Sequence, residues 1–216
     1  MANLQSLLKA GCKDEILPQW PHTIYLLQRH THSSMKRILT SALLVAAAAA
    51  LVLAQGPKKF TRTTDNALVA PKEISVQLNG KTINISYSAP SMRGRKIFSE
   101  GGLLAGTSVW RAGADDATCM HTDAALDING LAVPAGDYSL WVELNAGKWQ
   151  LIVNKEIGQW GTNYNKSQDL GHVAMTMGKP SAPVEQYKMT LTAAGAKGKL
   201  ELAWENTMAS VNITVK

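Results

Sequence analysis

From Glu73 onward, apolar and polar positions alternate. Ile74, Val76 and Leu78 are separated by Ser75 and Gln77, and Asn79-Gly80 follows. Ile83, Ile85 and Tyr87 then share one phase. Two alternating runs joined by Asn-Gly predict a β-hairpin, because that dipeptide tolerates the positive φ of the tight turn. The pattern recurs at Leu126 and Ile128, Asn129-Gly130, and Leu131 and Val133. Tyr138 to Leu144 alternates, Asn145-Ala146-Gly147 turns, and Trp149 to Val153 alternates again. Val173, Met175 and Met177 predict one further strand, and Tyr187, Met189 and Leu191 the next. After Gly195 to Gly198 come Leu200, Leu202 and Trp204, then Val211, Ile213 and Val215. That makes about nine or ten short strands, the spacing of a sandwich or barrel, with no 3.6-residue period sustained over three turns. One face of each strand meets a core and the other meets water. The expected fold class is all-β: a two-layer antiparallel β-sandwich, with barrel-like closure as the alternative.

The region before these strands is of another kind. Met35-Lys36-Arg37 precedes an apolar run, Ile38 to Ala54, broken only by Thr40 and Ser41. A charged start, an apolar middle and a small-residue exit describe a secretory signal peptide. Three readings compete. Translation starts at Met35 and residues 1–34 are a spurious upstream extension; or 38–54 is an uncleaved membrane anchor; or the run is a buried core helix. The first is preferred because Met35 stands where a signal peptide begins. The anchor comes second, since Lys36 and Arg37 would keep the preceding end in the cytoplasm. Ala and Leu on every face leave no polar stripe for a surface helix. The expected organisation is therefore a signal peptide at 35–54, a linker at 55–72 and one β-sandwich domain at 73–216. The expected location is exported, periplasmic or secreted.

Composition agrees with one globular domain: 216 residues, 45% hydrophobic and 18% charged. The net charge of +6 suggests nucleic acid or membrane. However, residues 55–216 hold 17 Lys and Arg against 14 Asp and Glu. With no basic stripe carrying interleaved aromatics, nucleic acid is not an expected partner. Membrane contact is expected only through the apolar segment, if it stays uncleaved. Cys12 lies ahead of the signal, which leaves Cys119 alone and no internal disulfide in the exported part.

Three segments between the strands are more than turns: Ala89 to Lys96 with Glu100 to Gly106, Trp110 to Thr118, and Gln159 to Tyr164. Loops on a rigid sheet scaffold are where sites usually lie. Tyr87-Ser88-Ala89-Pro90 with Arg93 to Phe98 resembles the opening motif of a bacterial family of exported proteins, domain of unknown function 2911. Val109 to Ala114 with Ala117-Thr118 resembles its second motif, Pro134 to Leu140 its third, and Gln159-Trp160-Gly161 its fourth. Trp204-Glu205 also fits, and the resemblance covers about residues 72–216 in order. Ala89 stands where members tend to have Arg, and Ala105-Gly106-Thr107 where they tend to have Pro-Tyr-Gly. The resemblance implies a secreted β-rich domain and no particular activity.

Among these segments, Arg93, Arg95 and Arg111 carry planar forks suited to carboxylate or phosphate. Gly94 and Gly113 let backbone N–H groups approach the same ligand. Trp110, Asp115, Thr118 and Trp160 complete the candidate ligand-binding set. The competing reading pairs Arg111 internally with Asp115, Asp116 or Glu205 to pin its loop. Trp149 and Trp204 are in phase with buried strand positions, so core packing accounts for them. Catalytic chemistry is thin. His121 and His172 lack metal-ligand spacing, so no metal or cofactor is expected. Cys119 and His121 share a strand face, which permits a dyad but supplies no orienting partner. Asp115-Asp116 cannot flank a glycosidic bond from two sides. The leading expectation is a non-enzymatic binding module for a glycan or anionic small molecule. A structural module of the cell envelope is the second, and a hydrolase using loop carboxylates or Cys119 and His121 the third.

Overall fold

The computed structural model describes Val69 and residues 71–216. The chain divides into two compact units, Met1–Gly56 and Pro57–Lys216, and every described residue belongs to the second. The signal or anchor segment at 35–54, the extension before it and most of the linker lie outside the described residues.

Among the described residues there are thirteen strands: β1 (Pro71–Leu78), β2 (Lys81–Ser88), β3 (Val109–Trp110), β4 (Thr118–Thr122), β5 (Leu126–Ile128), β6 (Leu131–Val133) and β7 (Gly136–Glu143). Then follow β8 (Gln150–Asn154), β9 (Asp169–Ala174), β10 (Thr176–Gly178), β11 (Val184–Ala194), β12 (Lys197–Glu205) and β13 (Thr207–Val215). They form two antiparallel sheets. One has the order β1-β2-β4-β7-β8-β9, with β3 also on β7; the other has β11-β12-β13-β5-β6, with β10 also on β13. The fold is a β-sandwich, as the alternation predicts.

The Asn-Gly turns behave as their chemistry requires. Asn79 and Gly80 have φ of 50° and 74°, and Asn129 and Gly130 have φ of 46° and 94°. Both turns therefore have the two positive central angles that match the twist of the flanking strands. Core positions follow the period of two, except that β7 and β8 are buried on both faces and not one: Trp141 and Ile152 pack with Ala117 of the 111–117 stretch, which takes the place of water there. Ile83 and Ile85 of β2, Met120 of β4, Leu140 and Val142 of β7, and Leu151 and Val153 of β8 meet Leu200, Leu202, Val211 and Ile213 of the other sheet. These side chains are 2% exposed or less.

Two departures from the sequence pattern place the site. The run Val173-Met175-Met177 is not one strand. β9 pairs with β8 in the first sheet, β10 pairs with β13 in the second, and Met175 is the crossing point between them. Alternation persists through the crossing because both halves still bury one face. The second departure lies along β7. Val109 and Trp110 stand opposite Glu143 and Val142, and the same edge resumes with Thr118 opposite Leu140. Residues 111–117 thus all stand against the single position 141. They form an outward excursion in an otherwise continuous strand path, and Trp141 lies beneath it.

Candidate functional site

The excursion is built from constrained backbone. Ala112 and Asp115 have φ of 49° and 58°, a region that costs side-chain-bearing residues of order 1 kcal/mol each. Three local bonds hold it in place. Trp110 Nε1 donates to Gly113 O at 2.9 Å, Thr118 Oγ1 donates to Ala112 O at 2.9 Å, and Gly161 N donates to Asp115 O at 2.9 Å. Ala117 N also donates to Gln159 O at 3.1 Å, so the Gln159-Trp160-Gly161 segment lies against the excursion like a short partner strand. Two glycines are there for close approach. A Cβ on Gly113 would stand 2.9 Å from Ser88 O, and one on Gly161 would overlap the Arg111 side chain.

Beside the excursion lies a cleft of about 450 Å³. It is lined by Trp110, Trp141 and Trp204, by Leu103, Leu104 and Thr107, and by Gly161, Thr162 and Tyr164. Arg111 and Gly113 also line it, and among the described residues no carboxylate does. The three tryptophans are 1–3% exposed, so their ring faces serve packing. Trp110 stacks on Trp204 with ring centroids 6.0 Å apart, and Trp141 packs on Tyr164 at 5.1 Å. Apolar surface open to a ligand comes instead from the half-buried Tyr164 and from Leu103, which is 51% exposed.

Tyr164 is locked in place. Its hydroxyl donates to Asp169 Oδ2 at 2.5 Å, and Asn154 Nδ2 donates to Asp169 Oδ1 at 2.8 Å. His172 Nε2 lies 2.9 Å from the same Asp169 Oδ2, with Nδ1 3.6 Å from Glu143. Burial, with the Asp169 carboxylate next to it, raises the Tyr164 phenol well above its ordinary pKa. Tyr164 is therefore a neutral hydrogen-bond donor at neutral pH and a fixed wall of the cleft.

Arg111 is the one charged side chain in this lining. Nη1 makes a long contact of 3.5 Å to Gly161 O, and Nε is buried with no hydrogen-bond partner. Burial lowers the guanidinium pKa, and the Asp115 carboxylate opposes that. Among the described residues no ion pair to Arg111 is formed. Asp115 Oδ2 accepts from Val69 N at 2.8 Å, and Glu205 accepts from the Ile97 and Phe98 N–H groups.

The remaining candidates are distributed around this centre. Arg95 turns onto its own loop, with Nε donating to Met92 O and Nη2 to Ser91 O, each at 2.9 Å. Arg93, at φ 50°, is exposed, and its backbone N–H donates to Glu185. Arg93, Gly94 and Arg95 do not line the cleft; between Ala89 and Lys96 only Pro90 does, joined by Leu103 and Leu104 of the Glu100 to Gly106 stretch. Asp115, within the excursion, and Thr118, where β4 resumes, are both buried. Trp160 is half-buried, and its backbone bridges to Asp116. Trp110, Arg111 and Gly113 are the candidate residues that the fold gathers at the cleft. Leu104, Thr162 and Tyr164 join them from the Glu100 to Gly106 and Gln159 to Tyr164 segments, which the sequence singles out as loops without marking these particular residues. Tyr164 lies five residues past Gln159, in a loop with no period.

The catalytic alternatives find no such assembly. Cys119 is buried, its Sγ faces Ala117 O at 3.5 Å, and burial pushes the thiol pKa up, which disfavours the nucleophilic thiolate. Both His121 nitrogens are occupied, by Asp137 at 2.6 Å and Asp123 at 3.0 Å. Among the described residues no cluster of His, Cys, Asp and Glu is arranged to hold a metal.

The family described as protein of unknown function (DUF2911) matches residues 70–213. The chain belongs to that family. The matched span runs from the start of β1 to β13, so the cleft and both sheets lie inside the family domain. Neither a curated protein nor a solved structure matches the chain.

Proposed function

We propose that this DUF2911 domain is an exported, non-enzymatic binding module that holds an anionic ligand, such as a sugar acid, in the Arg111 cleft. The observation that carries this reading is the Arg111 guanidinium. A buried donor without a partner costs roughly 1–3 kcal/mol, more for a charged group, and is retained where something else uses it. Arg111 lies on an open cleft without carboxylates, and a carboxylate or phosphate would complete its fork. Thr162 and the Tyr164 wall offer hydroxyl and apolar contacts to the rest of a small polar molecule. Export rests on the Met35–Ala54 pattern.

The test is calorimetric titration of galacturonate into the domain, with glucose as the neutral control. Galacturonate should bind with Kd on the order of 1 mM, as expected for one charge-assisted fork, and glucose more weakly. Arg111→Met should lower affinity at least tenfold. The same change should leave the melting temperature unchanged or higher, because it removes a buried donor that lacks a partner. A second reading, a structural envelope module, is favoured by Arg95 and Trp110 being bonded to their own loops. It requires Arg111→Met to destabilise strongly. That result, together with no binding of any acidic sugar, would replace the first reading with the second.

A further inference from the structure

The Arg111 cleft has a neighbour. A second cleft of about 640 Å³ opens where the β7–β8 turn, the β10 end and the β12–β13 turn come together. Leu104 and Thr107 line both clefts, so the two meet across one short segment of chain. That segment is rigid. Ala105 N donates to Gly102 O and Thr107 N to Leu104 O, each at 3.1 Å. Leu103 and Leu104 donate to Lys96 and Ile97 at 2.9 and 2.8 Å. Each volume alone lies within the range of a single small-molecule site. Abutting across a preformed ridge, they suit a ligand longer than one ring.

The chemistry of the second cleft repeats that of the first. Phe98, Trp149 and Met177 give it apolar lining, and Ser108, Asn145 and Asn206 polar lining. Among the described residues Lys179 is its one charged lining residue and, as at Arg111, no carboxylate lines the space. Resting on the reading above, we infer that the two clefts form one groove for an acidic oligosaccharide. Acidic groups on separate residues of the chain meet Arg111 at one end and Lys179 at the other, and the chain crosses the Leu104–Thr107 ridge. Aromatic and aliphatic surface beside hydroxyl and amide groups suits sugar rings, with C–H faces on one side and hydroxyls on the other. One cation per cleft is too sparse for a nucleic-acid backbone, which is bound through a continuous basic track.

The experiment compares linear tetragalacturonate with galacturonate on the whole domain. The tetramer should bind at least tenfold more tightly than the monomer. Ala146→Trp, at an exposed turn position lining the second cleft, should cut that ratio to about threefold or less, and Lys179→Met should do the same. If the monomer binds but the tetramer binds no better, the groove is refuted and the Arg111 cleft stands. If the tetramer advantage survives Ala146→Trp, the second cleft is not part of the site. Tetraglutamate or a short oligodeoxynucleotide binding as tightly as the tetramer would overturn the carbohydrate assignment. If neither sugar binds, both readings fall together.

Discussion

The Arg111 side chain lies flat against the bare Cα of Gly161. A Cβ at 161 would overlap Arg111 Cδ, stand 2.8 Å from its Nε and crowd Asp115 O, the atom to which Gly161 N donates. Glycine is required here for space and not for a left-handed backbone. The absent side chain is the cradle that aims the guanidinium along the cleft.

Gly161→Ala should therefore act on stability and binding together. Either Arg111 swings out or the 159–161 segment lifts from the excursion, and overpacking of this kind costs about 1–3 kcal/mol. Galacturonate affinity should fall at least tenfold in the same protein. Urea unfolding and calorimetric titration of one sample check both. Wild-type stability with wild-type affinity would show that Gly161 does not position Arg111.

A buried tyrosine pair gives a prediction of opposite signs. Tyr87 and Tyr187 meet edge to face in the core, with ring centroids 5.6 Å apart. The Tyr87 hydroxyl accepts from Met189 N at 3.1 Å, whereas the Tyr187 hydroxyl is buried with no partner. Tyr187→Phe should stabilise the domain by about 1 kcal/mol, because the ring stays and only an unmatched polar atom leaves. Tyr87→Phe should destabilise by about 1 kcal/mol, because it strips a partner from a buried N–H. Thermal melts of the two variants decide it, and equal shifts in one direction would contradict the hydrogen-bond assignment.

The contrast between these tyrosines marks what the amino-acid pattern can and cannot express. Alternation at Ile83, Ile85 and Tyr87, with Asn-Gly at 79–80 and 129–130, is local physics, and it places the hairpins and the core face correctly. The two sheets follow from it, but the point where one apolar run changes sheets does not. Met175 continues the period through the crossing, so nothing local distinguishes Val173 from Met177. The cleft was half legible. Trp110, Arg111 and Gly113 stand out as cation, aromatic and glycine in one loop. Arg95 has the same side chain as Arg111 in a similar setting. Only tertiary geometry separates a guanidinium folded onto Met92 and Ser91 carbonyls from one lying on Gly161. Tyr164 is drawn to the cleft by its bond to Asp169, a partner five residues away across an irregular loop.

Those phenols also set the alkaline limit of the fold. Burial raises the pKa of Tyr87, Tyr138, Tyr164 and Tyr187 above the ordinary value, well above it for Tyr164 and Tyr187. A group whose folded pKa exceeds its unfolded one keeps more protons in the native state once the unfolded chain begins to ionise. The stability these tyrosines contribute is therefore complete below the unfolded value of about 10. It is lost progressively as pH climbs from there toward the folded values. Urea midpoints should hold steady toward about pH 9 with respect to these groups and fall between about pH 10 and 11. In the same interval the native protein should show little tyrosinate absorbance from Tyr87, Tyr138, Tyr164 and Tyr187. The urea-unfolded chain should ionise fully. Tyr187→Phe should lessen the alkaline fall, since it removes a fully buried phenol whose pKa burial raises. If the native spectrum shows every phenol ionising near pH 10 with the sheet signal intact, these rings are not buried as the sandwich places them.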